Sequence, residues 1–545
     1  MIVVWFLVLI GPLIFIHELG HFAFAKLFKV KVLQFSLGFG PAIKGLHWTW
    51  GETEYKVAYV PLGGYVKMLG EDPTAEIAPE DQGRALQHKP LWQKYLIVTA
   101  GPLFNLVFPV LVYFFYFLAQ STAAPAVIGT VIPGEPAATA GLRSGDRVLA
   151  IDGHKIRYWT DVTKIIQGKP NQRVRLVIER EGSRLALDAT PRLELQRTRL
   201  GVVDKVGLLG IMPAMTAAQV GVIDPNSPAG RAGIRTGDWV LSVNGRPTPY
   251  WHQLRSFLKH LKRPAVLHVF FLRAIRPAGS MGLSLWRPGT VDLRPNLIDG
   301  RVETGLRSAE MFVSHVDPAT PAFRMGLRPG DFVLTLDGQE LRSWLVLANL
   351  LSQKRDKAMT ITWQSPGGPL HRGTVRLERK HVVDEFKQER TVYVFGATNG
   401  MVYRYPPKEP IDGRFVYAVH MAALMSSEVI SDMVLAVVQI FRGKVASDTV
   451  GGPIMLANIA KVAASKGWDV FLWIMALISI NLGLLNLLPV PILDGGHVLI
   501  FTIEAVRRKP LSLQARAAVS YLGLALLLAL MVLAFKNDIV RYILN

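Results

Sequence analysis

Long apolar stretches alternate with polar regions along this chain, and they predict a protein that crosses a membrane. The stretches at 1–28, 92–119, 468–490 and 517–536 each contain the roughly 20 mostly apolar residues that a spanning helix needs. We therefore predict a polytopic α-helical membrane protein with four transmembrane helices. The segment 415–443 is also apolar, but it carries polar side chains on roughly one face, which favours an amphipathic helix in the membrane interface.

Basic residues predict the orientation of these helices. Arg507, Arg508, Lys509 and Arg516 follow the third span, so the positive-inside rule places their loop in the cytoplasm. With four spans, the first and third helices then run in the same direction, and the large region before the third helix is extracytoplasmic. The first stretch could instead be a signal peptide, but no basic residue precedes it and no A-x-A-type cleavage site ends it.

Three titratable side chains, His17, Glu18 and His21, interrupt the first apolar stretch. Positions four apart lie on one face of a helix, so the two histidines can share a metal ion while Glu18 acts on its water. The alternative is a pair of hydrogen-bonded core histidines. The membrane argues against it, because an ionisable side chain near the bilayer centre costs about 2.5–3.5 kcal/mol on insertion scales and needs a compensating partner such as a divalent cation.

A catalytic zinc ion needs a third protein ligand, and Asp494 is the best candidate. It lies near the end of the stretch NLGLLNLLPVPILDGGH (481–497), where it follows the third span and precedes two glycines. Pro489 and Pro491 do not fit a regular helix interior, so we expect the helix to break there. A solvent-facing D-G-G turn is the alternative. A fifth span at 415–443 would carry Asp494 to the side opposite His17, so the metal site requires four spans.

These motifs resemble the site-2 family of intramembrane zinc metalloproteases, of the bacterial regulator-of-sigma-E protease type. The resemblance rests on HELGH and N-x-x-P-x-P-x-L-D-G-G, and it extends to GFG at 38–40, PLGGYVKMLGE at 61–71, AGPLFN at 100–105 and GGPI at 451–454. It implies one Zn²⁺ ion per chain. The implied ligands are His17, His21 and Asp494, and the implied general base is Glu18.

The same resemblance implies residues that bind substrate. Asn486 would hold the substrate backbone, and Pro489 and Pro491 would keep that strand open. Gly38 and Gly40 would pair with the substrate as an added strand, since glycine lets another backbone approach closely. They lie in the segment 29–91, which we predict to be a small cytoplasmic β-element and loop associated with the membrane. An ordinary hairpin is the alternative.

The region between the second and third spans contains three repeats. They read PAATAGLRSGDRVLAIDG (136–153), PAGRAGIRTGDWVLSVNG (228–245) and PAFRMGLRPGDFVLTLDG (321–338). Their aspartates at 146, 238 and 331 give periods of 92 and 93 residues, which indicates whole domains. Each repeat predicts a short helix that ends at glycine, an alternating strand and a tight turn. They resemble bacterial PDZ domains, so we predict three inserted extracytoplasmic PDZ-like β/α domains at 122–203, 204–296 and 297–400.

The role of these domains is less defined than their presence. PDZ domains bind peptide ends or extended strands, so we expect peptide ends or an outer-side protease as partners; domains that act only as spacers without a ligand are the alternative. Members of the resembled family usually have two such domains, so the third is a departure.

The formal net charge is +20, but the basic residues are scattered without a nucleic-acid motif, and we expect no nucleic-acid partner. The chain contains no cysteine, which excludes disulfides and thiolate metal sites.

The resemblance implies a zinc-dependent intramembrane endopeptidase. Its substrates would be single-span membrane proteins, either anti-sigma factors already trimmed outside the membrane or remnant signal peptides, and the PDZ-like domains would filter them. We expect a multi-pass protein of the bacterial inner membrane, with the active site near the cytoplasmic side. A membrane-anchored PDZ adaptor with a vestigial zinc site is the alternative function. A transporter fits less well, because no internal inverted repeat is visible.

Overall fold

The computed structural model describes residues 2–71, 77–197, 203–275, 285–383, 389–442, 451–509 and 511–544. The helices are α1 (Ile2–Leu27), α2 (Leu91–Ala119), α3 (Pro136–Thr139), α4 (Trp159–Gln167), α5 (Pro228–Arg231), α6 (Trp251–Lys259), α7 (Pro321–Met325), α8 (Trp344–Gln353), α9 (Arg414–Phe441), α10 (Pro453–Lys466), α11 (Trp468–Asn486), α12 (Asp494–Arg507) and α13 (Leu513–Ile539). Within the described ranges, α1, α2, α9, α11 and α13 are long and apolar enough to cross a membrane.

The helices α1 and α11 run parallel through the membrane bundle. The Trp5 ring lies 5.6 Å from the Phe471 ring near the N-termini of both helices. Near their C-termini, His17 Nε2 lies 3.4 Å from Asn486 Nδ2. The sequence predicted this shared direction for the first and third spans. Two parallel spanning helices must be separated in the chain by an odd number of other spanning helices. One such helix, α2, is sufficient.

Helix α9 is the segment that the sequence placed in the membrane interface. Both of its ends contact the region between α2 and α9, which we call the outer region: the Tyr417 ring lies 5.2 Å from the Tyr158 ring, and Gln439 Nε2 donates to the Val203 carbonyl at 3.1 Å. Contacts of both helix ends with one region favour a helix that does not cross the bilayer. The length and hydropathy of α9 would also suit a span. The count of four spans therefore stays a prediction, which these contacts and the direction of α11 favour.

A small sheet follows α1 and packs against it. It is formed by β1 (Val32–Trp50) and β2 (Thr53–Met68), joined by a tight turn. Residues 34–37 pair on one side with 64–67 and on the other side with 54–57, because β2 bends around β1. Apolar side chains of both strands form one buried cluster with the C-terminal end of α1. The sheet therefore lies against the helix that carries the H-E-x-x-H motif.

The strands of the outer region form three successive units. The first contains β3 (Thr122–Ala123), β4 (Thr130–Val131), β5 (Arg147–Ile151), β6 (His154–Lys155), β7 (Val174–Arg180), β8 (Ser183–Ala189), β9 (Arg192–Arg197), β10 (Val203–Leu208) and β11 (Ile211–Met212). The second contains β12 (Met215–Thr216), β13 (Val220–Gly221), β14 (Trp239–Val243), β15 (Arg246–Pro247), β16 (Leu267–Ile275), β17 (Leu285–Leu293), β18 (Asn296–Ile298), β19 (Arg301–Glu303) and β20 (Arg307–Ser308). The third contains β21 (His315–Val316), β22 (Phe332–Leu336), β23 (Gln339–Glu340), β24 (Met359–Gln364), β25 (Leu370–Val375), β26 (Glu378–Val383), β27 (Glu389–Val394) and β28 (Ala397–Thr398), and β29 (Tyr403–Arg404) and β30 (Glu409–Pro410) lead back to α9.

The three units share one architecture. Their four-stranded sheets have the orders β6-β5-β7-β8, β15-β14-β16-β17 and β23-β22-β24-β25. Each unit is closed by a late strand that pairs with an early one: β11 with β4, β20 with β13 and β28 with β21. By strand pairing, the first two units extend past the predicted boundaries at 203 and 296, to Met212 and Ser308. The repeated motif gave no sign of these closing strands, because they lie far beyond it in the chain.

The outer region leaves and rejoins the membrane bundle at one place. Strand β3, which follows α2, pairs with β30, which precedes α9. The chain ends of the outer region are therefore held together by two short strands. The three units form an insertion between α2 and α9.

Candidate metal centre

One turn of α1 and the first residue of α12 bring three ligand side chains together. His17 Nε2 and His21 Nε2 are 3.3 Å apart. The carboxylate oxygens of Asp494 lie 3.3 Å from His17 Nε2 and 3.4 Å from His21 Nε2. The two motifs, separated by almost the whole chain, therefore meet at one point.

This spacing fits a zinc ion. Tetrahedral zinc binds nitrogen and carboxylate ligands at about 2.0–2.2 Å, which places neighbouring ligand atoms about 3.3–3.5 Å apart. The three measured distances agree with that edge length. Two imidazoles and one carboxylate are also a donor set of catalytic zinc sites, in which the fourth position is left to water or substrate. The residues present can therefore hold zinc.

Contacts behind the histidines orient their rings. His21 Nδ1 lies 2.9 Å from the carbonyl oxygen of Ile97 on α2. Because a carbonyl oxygen accepts, His21 carries its proton on Nδ1 and directs the Nε2 lone pair to the centre. His17 Nδ1 lies 3.3 Å from the amide of Asn105, which is also on α2. Helix α2 therefore supports both histidines from behind.

The amide of Asn105 matches a zinc-binding His17. Asn105 is fully buried, and its Oδ1 has no hydrogen-bond partner in the part of the chain that the structure describes. A half-turn of the amide exchanges its oxygen and nitrogen, which brings Oδ1 to His17 Nδ1. Oδ1 then accepts the Nδ1 proton of a histidine that binds metal through Nε2. The buried oxygen gains a partner and the required tautomer of His17 is fixed.

Two glycines allow α1 and α2 to approach closely enough for these contacts. A Cβ atom on Gly20 would lie 2.4 Å from the carbonyl oxygen of Ala100. A Cβ atom on Gly101 would lie 2.2 Å from His21 Nε2. A side chain at position 101 would therefore displace the His21 ring from the centre.

Glu18 lies beneath the small sheet. It is buried, and a Cβ atom on Gly64 of β2 would lie 2.8 Å from Glu18 Cγ and 2.7 Å from the carbonyl oxygen of Ser36. The bent strand β2 therefore covers the candidate base, and position 64 requires glycine. The contact joins the β-element to the metal centre.

The break after α11 places Asn486 at the centre. Helix α11 ends at Asn486, whose Nδ2 lies 3.4 Å from His17 Nε2. Pro489 and Pro491 follow in the non-helical segment before α12, so the predicted break is present. Ile492 has φ = 88°, a conformation that β-branched residues rarely adopt. The predicted contacts of Asn486, Pro489 and Pro491 with substrate stay predictions.

The two glycines of the GFG segment lie in different surroundings. Gly38 is buried, and a Cβ atom on it would lie 2.9 Å from the carbonyl oxygen of Val60. Gly40 is exposed, with open space where its Cβ would be. The backbone of the sheet itself therefore occupies the approach to Gly38, whereas Gly40 is open. Pairing of either glycine with substrate stays a prediction.

A family model covers these elements together. The model for peptidase family M50 matches residues 5–530, a range that includes both motifs of the metal centre. The chain belongs to peptidase family M50. It is a zinc metalloprotease of the site-2 type, in agreement with the names of its relatives.

Relatives of this M50 peptidase match along almost its whole length. It is 30% identical to a Thermotoga maritima protein named "Putative zinc metalloprotease", with 99% of each chain covered. It is 28% identical to "Regulator of sigma-E protease RseP" of Salmonella typhimurium, with 98% of each chain covered.

Solved structures of PDZ-domain proteins match part of the chain. The PDZ domain of an SdrC-like protein of Listeria monocytogenes is 20% identical, with 17% of this chain and 92% of that chain covered and a TM-score of 0.14. A PDZ domain protein of Parabacteroides distasonis is 10% identical, with 53% and 97% covered and a TM-score of 0.14. The PDZ-like description of the units rests on their repeated sheet order.

Three residues of the M50 centre escaped the sequence analysis: Gly64, Gly101 and Asn105. They lie in PLGGYVKMLGE and AGPLFN, segments that carried the family resemblance without a role of their own. A signal existed for Asn105, because a polar amide in an apolar span is costly unless it has a partner. For the glycines no sequence pattern indicates which helix or side chain lies against them.

Proposed function

We propose that this peptidase cleaves single-span membrane proteins within the bilayer. One zinc ion per chain would be held by His17, His21 and Asp494, with Glu18 as the general base. The observation that carries the proposal is the convergence of the three ligand groups at 3.3–3.4 Å inside a bundle of apolar helices. His17 lies about 24 Å along α1 at 1.5 Å per residue, which is deep in an apolar layer of about 30 Å.

The residues around the centre have different roles in the proposed reaction. A bound zinc ion supplies Lewis acidity, which polarises the scissile carbonyl and makes water a stronger acid. Glu18 accepts the proton of the attacking water and later donates it to the leaving amine. The strand that covers Glu18 limits access of bulk water to it. Asn486 holds the substrate backbone next to His17, and Pro489 and Pro491 keep the segment after α11 from closing into a helix.

The substrates we propose are anti-sigma-factor-like proteins and remnant signal peptides. The resemblance to the regulator-of-sigma-E type supports them, as does the printed name of the Salmonella relative. The basic loop around Arg507, Arg508 and Lys509 supports a bacterial inner-membrane protein whose site is near the cytoplasmic side. The three outer units then lie outside the cytoplasm and act as a size filter against untrimmed proteins.

Cleavage of a tagged single-span substrate by the purified full chain tests the proposal. We expect Glu18→Gln to lower the cleavage rate about 10²–10⁴-fold while bound zinc stays near one per chain, because the base is not a ligand. Glu80→Gln, at an exposed position outside the centre, is the matched control and should cleave normally. Equal cleavage by Glu18→Gln and wild type would rule out the assigned base. Absence of cleavage by the zinc-loaded wild type would favour the adaptor.

The size filter needs a separate test. Because β3 and β30 hold the ends of the outer region together, residues 124–408 can be replaced by a short linker without separating α2 from α9. The shortened protein should cleave untrimmed as well as trimmed substrate, whereas the full chain should cleave the trimmed form alone. Continued rejection of untrimmed substrate by the shortened protein, at normal cleavage of the trimmed form, would contradict the filter.

A further inference from the structure

The hairpin of β9 and β10 carries apolar side chains on its outward face. Leu193 and Leu195 on β9 are 41% and 61% exposed, and Val203 on β10 is 41% exposed. Lys205 is also exposed and pairs directly with Leu195. Directly paired residues and residues two apart share a face of a ribbon. We call this face of Leu193, Leu195, Val203 and Lys205 the hairpin face.

The opposite side of the ribbon mixes charged and apolar residues, since Val206 pairs with Glu194 there. Glu194 and Asp204 alternate with the residues of the hairpin face and are half-buried, and Glu194 forms an ion pair with Arg192. In a soluble hairpin the apolar residues face inward and the charged residues face water. Single exposed apolar residues are normal, whereas three together on one face are a candidate interaction surface.

The hairpin face adjoins an apolar surface of α9. The carbonyl of Val203 accepts from Gln439 Nε2 at 3.1 Å. Beside Gln439, Val434 and Val438 are 49% and 37% exposed. They are four residues apart and therefore lie on one side of the helix. The ribbon and the helix thus expose apolar side chains next to each other.

We propose that the hairpin face rests beside α9 on the membrane–water interface, on the extracytoplasmic side of the membrane, and anchors the first unit to lipid. A lipid surface fits the composition of the face, because leucine and valine enter the acyl boundary while Lys205 reaches the phosphates. It also accounts for the neighbouring α9, whose apolar side chains suit the same environment. The anchor fixes the height of the outer units above the membrane. It does not depend on the proteolytic mechanism.

The second unit provides a comparison. Its hairpin, β18 and β19, exposes Leu297 and Ile298 by 57% and 51%. These residues are adjacent, so they point to opposite sides of the ribbon and do not form one apolar face. Among the described contacts, none joins this hairpin to α9. Leu297 is therefore a control of the same residue type on an equivalent element.

The absence of cysteine allows a direct test in the full chain. Leu195→Cys, Gln196→Cys and Leu297→Cys are each labelled with an environment-sensitive fluorophore and reconstituted in vesicles of phosphatidylcholine and phosphatidylglycerol. Gln196 is exposed on the opposite side of β9, one residue from Leu195. Leu193→Cys is a second probe of the hairpin face in case Leu195→Cys does not fold.

The expected result is an alternation along β9. The label at 195 should lose about half of its fluorescence to spin-labelled lipid and resist aqueous iodide, because interfacial residues lie within about 5–10 Å of the acyl boundary. The labels at 196 and 297 should show the reverse. Equal iodide quenching at 195 and 196 would overturn the proposal. Protection of 195 from iodide without quenching by spin-labelled lipid would also overturn it, since a protein surface would then cover the face.

Discussion

The metal centre holds a half-buried aspartate and the outer units hold fully buried ones, and the two kinds have different surroundings. In the first two units, Asp146 and Asp238 are 1% exposed, and two guanidinium nitrogens lie 2.5–2.7 Å from each carboxylate. The Asp494 carboxylate instead faces imidazole nitrogens at 3.3 and 3.4 Å. An arginine neutralises a carboxylate permanently and occupies its lone pairs, whereas two neutral imidazoles leave its charge to be balanced by a cation. The surroundings of a buried carboxylate thus separate a structural position from a metal ligand.

The third unit adds an intermediate case. Asp331 occupies the position of Asp146 and Asp238, but Ser365 Oγ donates to it at 2.7 Å in place of an arginine. A backbone N–H also donates to each of the three aspartates, from Arg143, Arg235 and Arg328 at 2.7–2.8 Å. The turn is therefore conserved in geometry among the units while the charge compensation differs.

The largest expected effect is the loss of metal on removing the Asp494 charge. Asp494→Asn should weaken zinc binding by more than about 100-fold and abolish cleavage, because even residues that only support a ligand cost 10–100-fold when changed. Zinc content by metal analysis and cleavage of the tagged substrate measure both effects. Asp146→Asn is the matched control, since it makes the same change at a fully buried carboxylate of the outer region. Zinc loss in both variants, or in neither, would remove the distinction between the two kinds of aspartate.

The next largest effect concerns the arginine pairs. Arg180→Met leaves the Asp146 charge buried and unpaired, which should destabilise the first unit by about 3–5 kcal/mol. Ser365→Ala removes one hydroxyl donor from Asp331 and should cost the third unit about 1–3 kcal/mol. Limited proteolysis along a temperature series, with the fragments assigned to units, measures both changes. Comparable losses in the two variants would show that the arginine contributes no more than the serine.

The sequence predicted the metal ligands of the centre, but it did not predict how α2 packs behind them. H-E-x-x-H spacing and helix geometry suffice to place His17 and His21 on one face, and the prolines suffice to end the third span before Asp494. The approach of α2 to α1 was beyond prediction, because it depends on what lies against Gly20 and Gly101, which no local pattern encodes. The repeats predicted the number of units, because the same motif recurs once in each unit. They did not predict the closing strands, because the period of a motif carries no information on which later strand completes the sheet.

A smaller effect is expected from the support of His17. Asn105→Ala removes the amide behind the ring and should lower zinc affinity about 10–100-fold without abolishing binding. Zinc competition with a chelator measures the affinity. Ser479→Ala is the control. Ser479 Oγ donates to the backbone carbonyl of Asn105 at 2.8 Å, so the change affects the same contact between helices without reaching the His17 ring. Equal zinc affinities of Asn105→Ala and wild type would reduce Asn105 to a packing residue.

The smallest effect tests Glu310, a half-buried carboxylate that has neither a metal centre nor an arginine. Glu310 accepts from Ser343 Oγ at 2.6 Å and from the backbone N–H of Trp344 at 3.2 Å, at the start of α8. Burial raises the pKa of Glu310 above its ordinary value. The folded state therefore binds the proton more tightly than the unfolded state, so stability is greatest at low pH and falls as pH rises through the raised pKa.

Glu310→Gln should remove this dependence, because the amide keeps an acceptor without a charge. The comparison must be a difference between wild type and variant, since Asp337 has a pKa lowered by Lys354 and gives the opposite slope in both proteins. On raising pH from the ordinary carboxyl range to neutral, the Tm of the third unit in wild type should fall by a few degrees relative to the variant. Identical pH profiles of wild type and variant would mean that the two hydrogen-bond donors already stabilise the charged form of Glu310. The Glu310 carboxylate would then be as well compensated as the aspartates that pair with an arginine.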